Sequence, residues 1–115
     1  MGGYNFTRIP QKTPEVKTKY HFINTKIPTP GTAEILDRLD TVESRSMHGQ
    51  LPLIWDKADD FSVYDFAGNC WIDFTSTIFV ANVGHSNLKV TAAIRQQLDQ
   101  SLYSTYSYPS KKSKR

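Results

Sequence analysis

The chain has one cysteine, Cys70, among its 115 residues. A lone thiol cannot close an internal disulfide, and neither a second cysteine nor a histidine pair at zinc spacing accompanies it. A reducing compartment is therefore expected. Long apolar runs are lacking too. None approaches the ~20 residues of a membrane span, and Met1 to Phe6 shows neither the basic start nor the apolar core of a secretory signal. These absences predict a soluble, cytoplasmic chain with no membrane partner. An excess of charge on the body is missing as well: the net charge is +3, but Lys111, Lys112, Lys114 and Arg115 leave residues 1–110 at −1. Phosphate binding needs basic side chains spread over a folded face, so no nucleic-acid partner is expected.

Signatures of self-contained chemistry are also absent. There is no Gly-x-Ser-x-Gly elbow and no reactive-cysteine context, so Ser76 and Cys70 read as ordinary residues. His21, His48 and His85 stand too far apart in sequence to suggest a metal cluster. Asp59 and Asp60 fall in an expected turn and Asp65 flanks a bend, which favours turn-forming, solvated roles over paired catalytic carboxylates. Gly84-His85-Ser86-Asn87 before a helix is a weak phosphate cradle and reads better as a helix start. Lys57 and Lys89 read as solvated surface.

What is present predicts an α+β fold. Pro10, Pro14, Pro28 and Pro30 among polar residues make 1–32 an extended lead segment with no packed element. Ile35, Leu36, Leu39 and Val42 recur at helical spacing behind Thr32, a candidate N-cap, and give a short helix over 33–42. Three strands follow, at 51–55, 62–65 and 70–74. Phe66-Ala67-Gly68-Asn69 turns the chain between the last two, because Gly68 and Asn69 tolerate positive φ. Val90, Ile94, Leu98 and Leu102 recur every fourth position behind Ser86 and Asn87, which predicts a long helix over 88–102. The organisation expected is a lead (1–32), a partial small domain (33–110) and a basic tail (111–115). Residues 71–82 are unusually apolar for a chain with so little to cover them, so further protein in cis or from a partner is expected there.

Taken in order, Leu51-Pro52-Leu53-Ile54-Trp55, Val63-Tyr64-Asp65, Gly68-Asn69, Ile72-Asp73-Phe74, Asn82-Val83-Gly84-His85 and Ala93 to Gln97 form a set. It resembles the N-terminal region of class III aminotransferases, enzymes of fold type I that depend on pyridoxal phosphate. Thr77 stands where the family usually has Gly or Ser, and Asn87-Leu88 stands for the common His-Pro. A β-branched residue at 77 is strained if that position uses positive φ.

The resemblance implies an N-terminal fragment lacking the large α/β domain, and with it the lysine, phosphate turn and aspartate that hold the cofactor. It thus implies no catalytic or cofactor-binding residue in this chain. Ile78 would be a substrate-side wall residue flanked by Thr77 and Phe79, although an ordinary core role competes for Ile78 and is favoured for Phe79. An Ile at that position suits a modest, unbranched substrate. Asn82, Gly84 and His85 would lie in a turn near the subunit interface of a homodimer. The full-length parent would move an amino group between an amino donor and an oxo acid. A non-enzymatic module that pairs with an aminotransferase subunit is the competing expectation.

Overall fold

The computed structural model describes residues 5–100. The described residues divide into two compact units, one up to residue 85 and one from residue 86, each considered by itself.

In the first unit the proline-bearing lead is extended, as expected, but it is paired. Gln11 bridges Ile27 and Lys17 bridges Phe22, both antiparallel, so residues 11–27 fold back on themselves. The fold-back closes at Thr18 and His21, where Thr18 N and Oγ1 donate to His21 O at 2.8 and 2.9 Å. Phe22 then exchanges backbone hydrogen bonds with Cys70 at 3.1 and 2.8 Å. The expectation of a lead without packed structure is corrected here: its partner strand lies nearly 50 residues away, beyond the reach of any local pattern.

Helix α1 (Thr32–Val42) forms where the periodicity places it, but Gly31, not Thr32, is its N-cap, at φ 95°. Thr32 is 1% exposed, and its Oγ1 is buried without a hydrogen-bond partner instead of capping. The Arg8 guanidinium reaches α1 from the lead, pairing with Asp37 and, at 2.6 Å, with Asp40. These carboxylates raise the Arg8 pKa further above its ordinary value.

The sheet is a three-stranded antiparallel meander in the order β1 (Trp55–Asp59), β2 (Ser62–Asp65), β3 (Cys70–Ile72). The strand expected at 51–55 begins only at Trp55. Pro52 has no N–H to offer a ladder, and Leu53 N turns back to Leu51 O at 2.7 Å. The strand expected to run to Phe74 stops at Ile72. Among the described residues the fully buried apolar side chains are Val63 and Cys70, each 1% exposed.

The 66–69 turn does more than reverse the chain. Asp65 Oδ1 accepts from Ala67 N (3.0 Å) and Asn69 N (2.9 Å), which shapes the bend. Asp65 Oδ2 accepts from Thr29 Oγ1 and from Asn69 Nδ2, both at 2.7 Å. Asn69 Nδ2 also reaches Thr25 Oγ1 (2.8 Å), and Asn69 Oδ1 accepts from Asn24 N (2.6 Å). The expected solvated role for Asp65 is thus corrected. Asp65 and Asn69 are buried, and together they fasten the lead to the hairpin.

In the second unit α3 spans Leu88–Asp99, after a short helical turn α2 (Ser76–Phe79) that belongs to the first. Asn87 Oδ1 caps α3 by accepting from Lys89 N (3.1 Å) and Val90 N (3.3 Å). The helix ends at Asp99, short of the expected 102; residues 101 and 102 lie outside the described residues, as does the basic tail. Val90, Ile94 and Leu98 are exposed. No helix among the described residues is long and apolar enough to cross a membrane.

Candidate functional site

The segment after β3 is built around one carboxylate. Asp73 N donates to Phe61 O at 2.9 Å, which fixes the residue beside the β1–β2 turn. Asp73 Oδ1 accepts from Thr75 N (3.0 Å) and Thr75 Oγ1 (2.8 Å), an Asx-type turn that diverts the chain out of the strand. Asp73 Oδ2 accepts from Thr77 N at 2.9 Å and lies 2.8 Å from His85 Nε2. The Asp73 side chain is 3% exposed and that of His85 15%. Burial alone would raise the Asp73 carboxyl, but the hydrogen bonds from His85, Thr75 and Thr77 outweigh it and lower the pKa from 3.8 to about 2. The group is an anion at every physiological pH.

What Asp73 holds is a turn of the wrong hand. α2 has helical hydrogen bonds, Phe79 N to Thr75 O at 2.9 Å and Val80 N to Ser76 O at 2.8 Å. Yet Ser76, Thr77, Ile78 and Phe79 have φ of 48°, 53°, 55° and 69°, so the turn is left-handed. Left-handed backbone costs an L-residue about 1–2 kcal/mol, and non-glycine residues adopt it singly as a rule. A run of four therefore approaches the net stability of a small domain, roughly 5 kcal/mol at the low end. The position that was strained on condition of a positive φ, Thr77, does have one. Such conformations persist where surrounding bonds over-determine them, and they concentrate at functional sites.

The turn leaves apolar side chains in solvent. Ile78 and Phe79 are each 77% exposed, Phe74 90% and Val80 80%. The described residues thus bury neither Ile78 nor Phe79, and they supply no core for either side chain. Thr77 is exposed at the front of the same turn.

Residues 81–85 bring the chain back. Gly84 N donates to Ala81 O (2.9 Å), and His85 exchanges backbone bonds with Asp60 at 2.7 and 3.0 Å. Gly84 is required twice over. Its φ is 84°, and a Cβ there would stand 2.7 Å from Asp60 Oδ1 and 3.3 Å from Asp60 Cα. The His85 ring meets Trp55 edge-on at a centroid distance of 5.9 Å. A polar cleft of about 160 Å³ remains between Asp60, Asp73, Ser76, Asn82, Gly84 and His85. Of the six singled-out positions, Thr77 and His85 bond to Asp73 and Asn82 and Gly84 line the same cleft, whereas Ile78 and Phe79 are exposed on the turn. Sequence reasoning missed Asp73 itself, although Asp73 followed by Thr75 and Thr77 is the spacing of a carboxylate that caps its own turn.

A three-stranded antiparallel meander with a short preceding helix and a strained, exposed apolar turn makes this a small α+β unit. The model of the class-III aminotransferase family matches residues 44–114. The chain belongs to that family. It is 33% identical over 76 residues to a leucine/methionine racemase of Thermococcus litoralis, covering 65% of this chain and 17% of that protein. It is 34% identical over 62 residues to an acetylornithine aminotransferase of Methanocaldococcus jannaschii, covering 54% and 16%. It is 34% identical over 65 residues to the 4-aminobutyrate aminotransferase GabT of Escherichia coli, covering 56% and 15%. The chain therefore spans about a sixth of the length of these relatives.

Family membership implies pyridoxal phosphate, and the described residues do not fit it by themselves. The cofactor needs a lysine and a set of free N–H groups for its phosphate. Lys57 is exposed on β1 with its Nζ 5.1 Å from the centroid of the Tyr64 ring, and Lys89 is exposed on α3. The N–H groups of Lys89 and Val90 are already taken by Asn87. Asp73, the most constrained anion of the site, has both oxygens occupied.

Proposed function

We propose that this chain is the N-terminal part of a class III aminotransferase, inactive alone, and that it contributes a wall of the substrate pocket through Thr77, Ile78 and Phe79. The observation that carries this reading is the left-handed turn: strained backbone, held by a buried carboxylate, displays exposed apolar side chains instead of hiding them. In the full-length parent the wall would face an amino donor or an oxo acid. Ile78 offers a flat aliphatic surface, which suits an unbranched carbon chain. Asn82, Gly84 and His85 would border the subunit interface of a cytoplasmic homodimer. Pyridoxal phosphate, when bound by the remainder of the enzyme, supplies the electron sink for amino transfer. The part of this chain is to shape the pocket and keep water from its apolar side.

The test is complementation. The 115-residue chain is co-expressed with a class III aminotransferase from which the matching N-terminal segment has been removed. Recovery of transamination is expected, with donor preference altered by Ile78→Trp and Ile78→Ala. Recovered activity that is indifferent to residue 78 would sink the wall assignment.

A further inference from the structure

We propose that Asp73 is the positioning residue of the pocket wall: its carboxylate sets the left-handed turn and thereby the direction in which Ile78 points. The proposal rests on the reading of Thr77, Ile78 and Phe79 as wall residues.

Local preference does not account for the turn. Four successive non-glycine residues have φ between 48° and 69°, and none has the freedom of glycine. The bonds internal to the turn do not select its hand either, since a right-handed turn offers the same backbone donors and acceptors. What distinguishes this conformation is the external anchor. Asp73 Oδ1 holds Thr75 through its N–H and its hydroxyl, while Oδ2 holds Thr77 N and meets His85 Nε2. One side chain thus ties the front of the turn to the residue at which the chain returns, twelve positions on. Ile78 follows Thr77 directly, so fixing the Thr77 peptide fixes the backbone from which the Ile78 side chain departs.

Both oxygens are needed as acceptors. Asparagine has the same shape but one acceptor oxygen. In Asp73→Asn the amide oxygen can serve Thr75, or Thr77 and His85, and not both sets. Whichever set keeps the oxygen, a backbone N–H of the other, Thr75 N or Thr77 N, faces an N–H₂ group that cannot accept from it. With Thr77 released, residues 77 and 78 return to right-handed backbone, which turns the Ile78 side chain away from its present direction. Asp60 and His85 are the other titratable groups lining the cleft beside Asp73, and neither replaces its bonds to Thr75 and Thr77.

The experiment is heteronuclear NMR on the purified full chain and on its Asp73→Asn and Asp73→Asn/Thr77→Gly variants. The readouts are the HN–Hα couplings and Cα shifts of residues 77 and 78, which report the sign of φ. Asp73→Asn is expected to move both residues to right-handed values while the cross-strand contacts of Val63 with Trp71 persist. Adding Thr77→Gly is expected to restore the left-handed values, because glycine holds that φ unaided. Unchanged couplings in Asp73→Asn overturn the proposal. If Asp73→Asn unfolds the chain, recovery of sheet and turn together in the double variant supports it, and failure to recover the turn overturns it. In the complemented enzyme, Asp73→Asn is expected to change the ratio of kcat/KM between short and long amino donors at least 10-fold, in the manner of the Ile78 variants. Selectivity that responds to residue 78 but not to 73 overturns the positioning role and leaves the wall standing. Selectivity that responds to neither removes the wall, and with it the role proposed for Asp73, even where the couplings show that Asp73 holds the turn.

Discussion

Replacing Asn69 with alanine should loosen the lead segment from the sheet. The Asn69 side chain is fully buried and joins four groups: Asn24 N, Thr25 Oγ1, Thr29 Oγ1 and Asp65 Oδ2, at 2.6, 2.8, 3.1 and 2.7 Å. Alanine removes every one of these bonds and supplies no polar atom in their place. Asn24 is exposed, so water can recover its N–H, and Asp65 Oδ2 keeps the Thr29 hydroxyl. The uncompensated loss is then about two buried polar groups, at roughly 1–2 kcal/mol each, or about 2–4 kcal/mol in all. Opening of the lead should become roughly 30- to 1,000-fold more frequent, at a factor of ten per 1.4 kcal/mol. Native-state amide exchange reads this directly at Asn24 N and at Phe22 N, which donates to Cys70 O. Protection at Val63, on the central strand, should fall less. A change below about 3-fold at Phe22 would mean that the buried network does not hold the lead, and the energetic reasoning would be wrong.

Three further outcomes follow from the turn and its anchor. Asp73 has a folded pKa of about 2 against an ordinary 3.8, so its contribution is present above pH 3.8 and is lost as the pH falls from there toward 2. Amide signals of Thr75 and Thr77 should shift together in that window, and Asp73→Asn should abolish the shift; persistence in the variant would reassign the titration to another group. Thr77→Gly should stabilise the chain by up to about 1 kcal/mol, since relief of ~1–2 kcal/mol of left-handed strain exceeds the ~0.5–1 kcal/mol entropic cost of glycine. A denaturant midpoint that falls would refute the strain argument. Gly84→Ala should cost about 2 kcal/mol or more, because the new methyl meets Asp60 and the φ of 84° disfavours any side chain; an unchanged thermal midpoint would show that the Asp60 turn yields freely.

Legibility in the sequence followed the range of the interactions. The meander, the helices α1 and α3 and the hairpin turn are visible because periodicity and turn chemistry act over a few residues. The start of β1 was misplaced, since apolar Leu51 to Ile54 imitate a strand that Pro52 cannot complete. The Thr32 cap failed because Gly31 takes the left-handed position just ahead of it. Asp65 looked solvated because its partner Thr29 is 36 residues away, and the same distance problem hid the pairing of Phe22 with Cys70. At the candidate site, Asp73 stands in the sequence only as part of Ile72-Asp73-Phe74, because the donors that give its carboxylate a role, Thr75, Thr77 and His85, reach it only through the turn. The hand of α2 was legible only as a conditional concern at Thr77, because no propensity scale anticipates four left-handed residues in succession.

The fastening of the lead at Asp65 and Asn69 also has a consequence in time. The hairpin from Ser62 to Ile72 closes on contacts within eleven residues, whereas Phe22 must find Cys70 across 48. Loop closure over the longer span costs more entropy and is repaid only once the bend has formed its buried carboxylate and amide. The lead is made before the hairpin during synthesis, yet it has nowhere to bind until residue 70 has followed it out. Assembly of this unit therefore runs against the order of the chain: the middle folds, and the beginning is then captured.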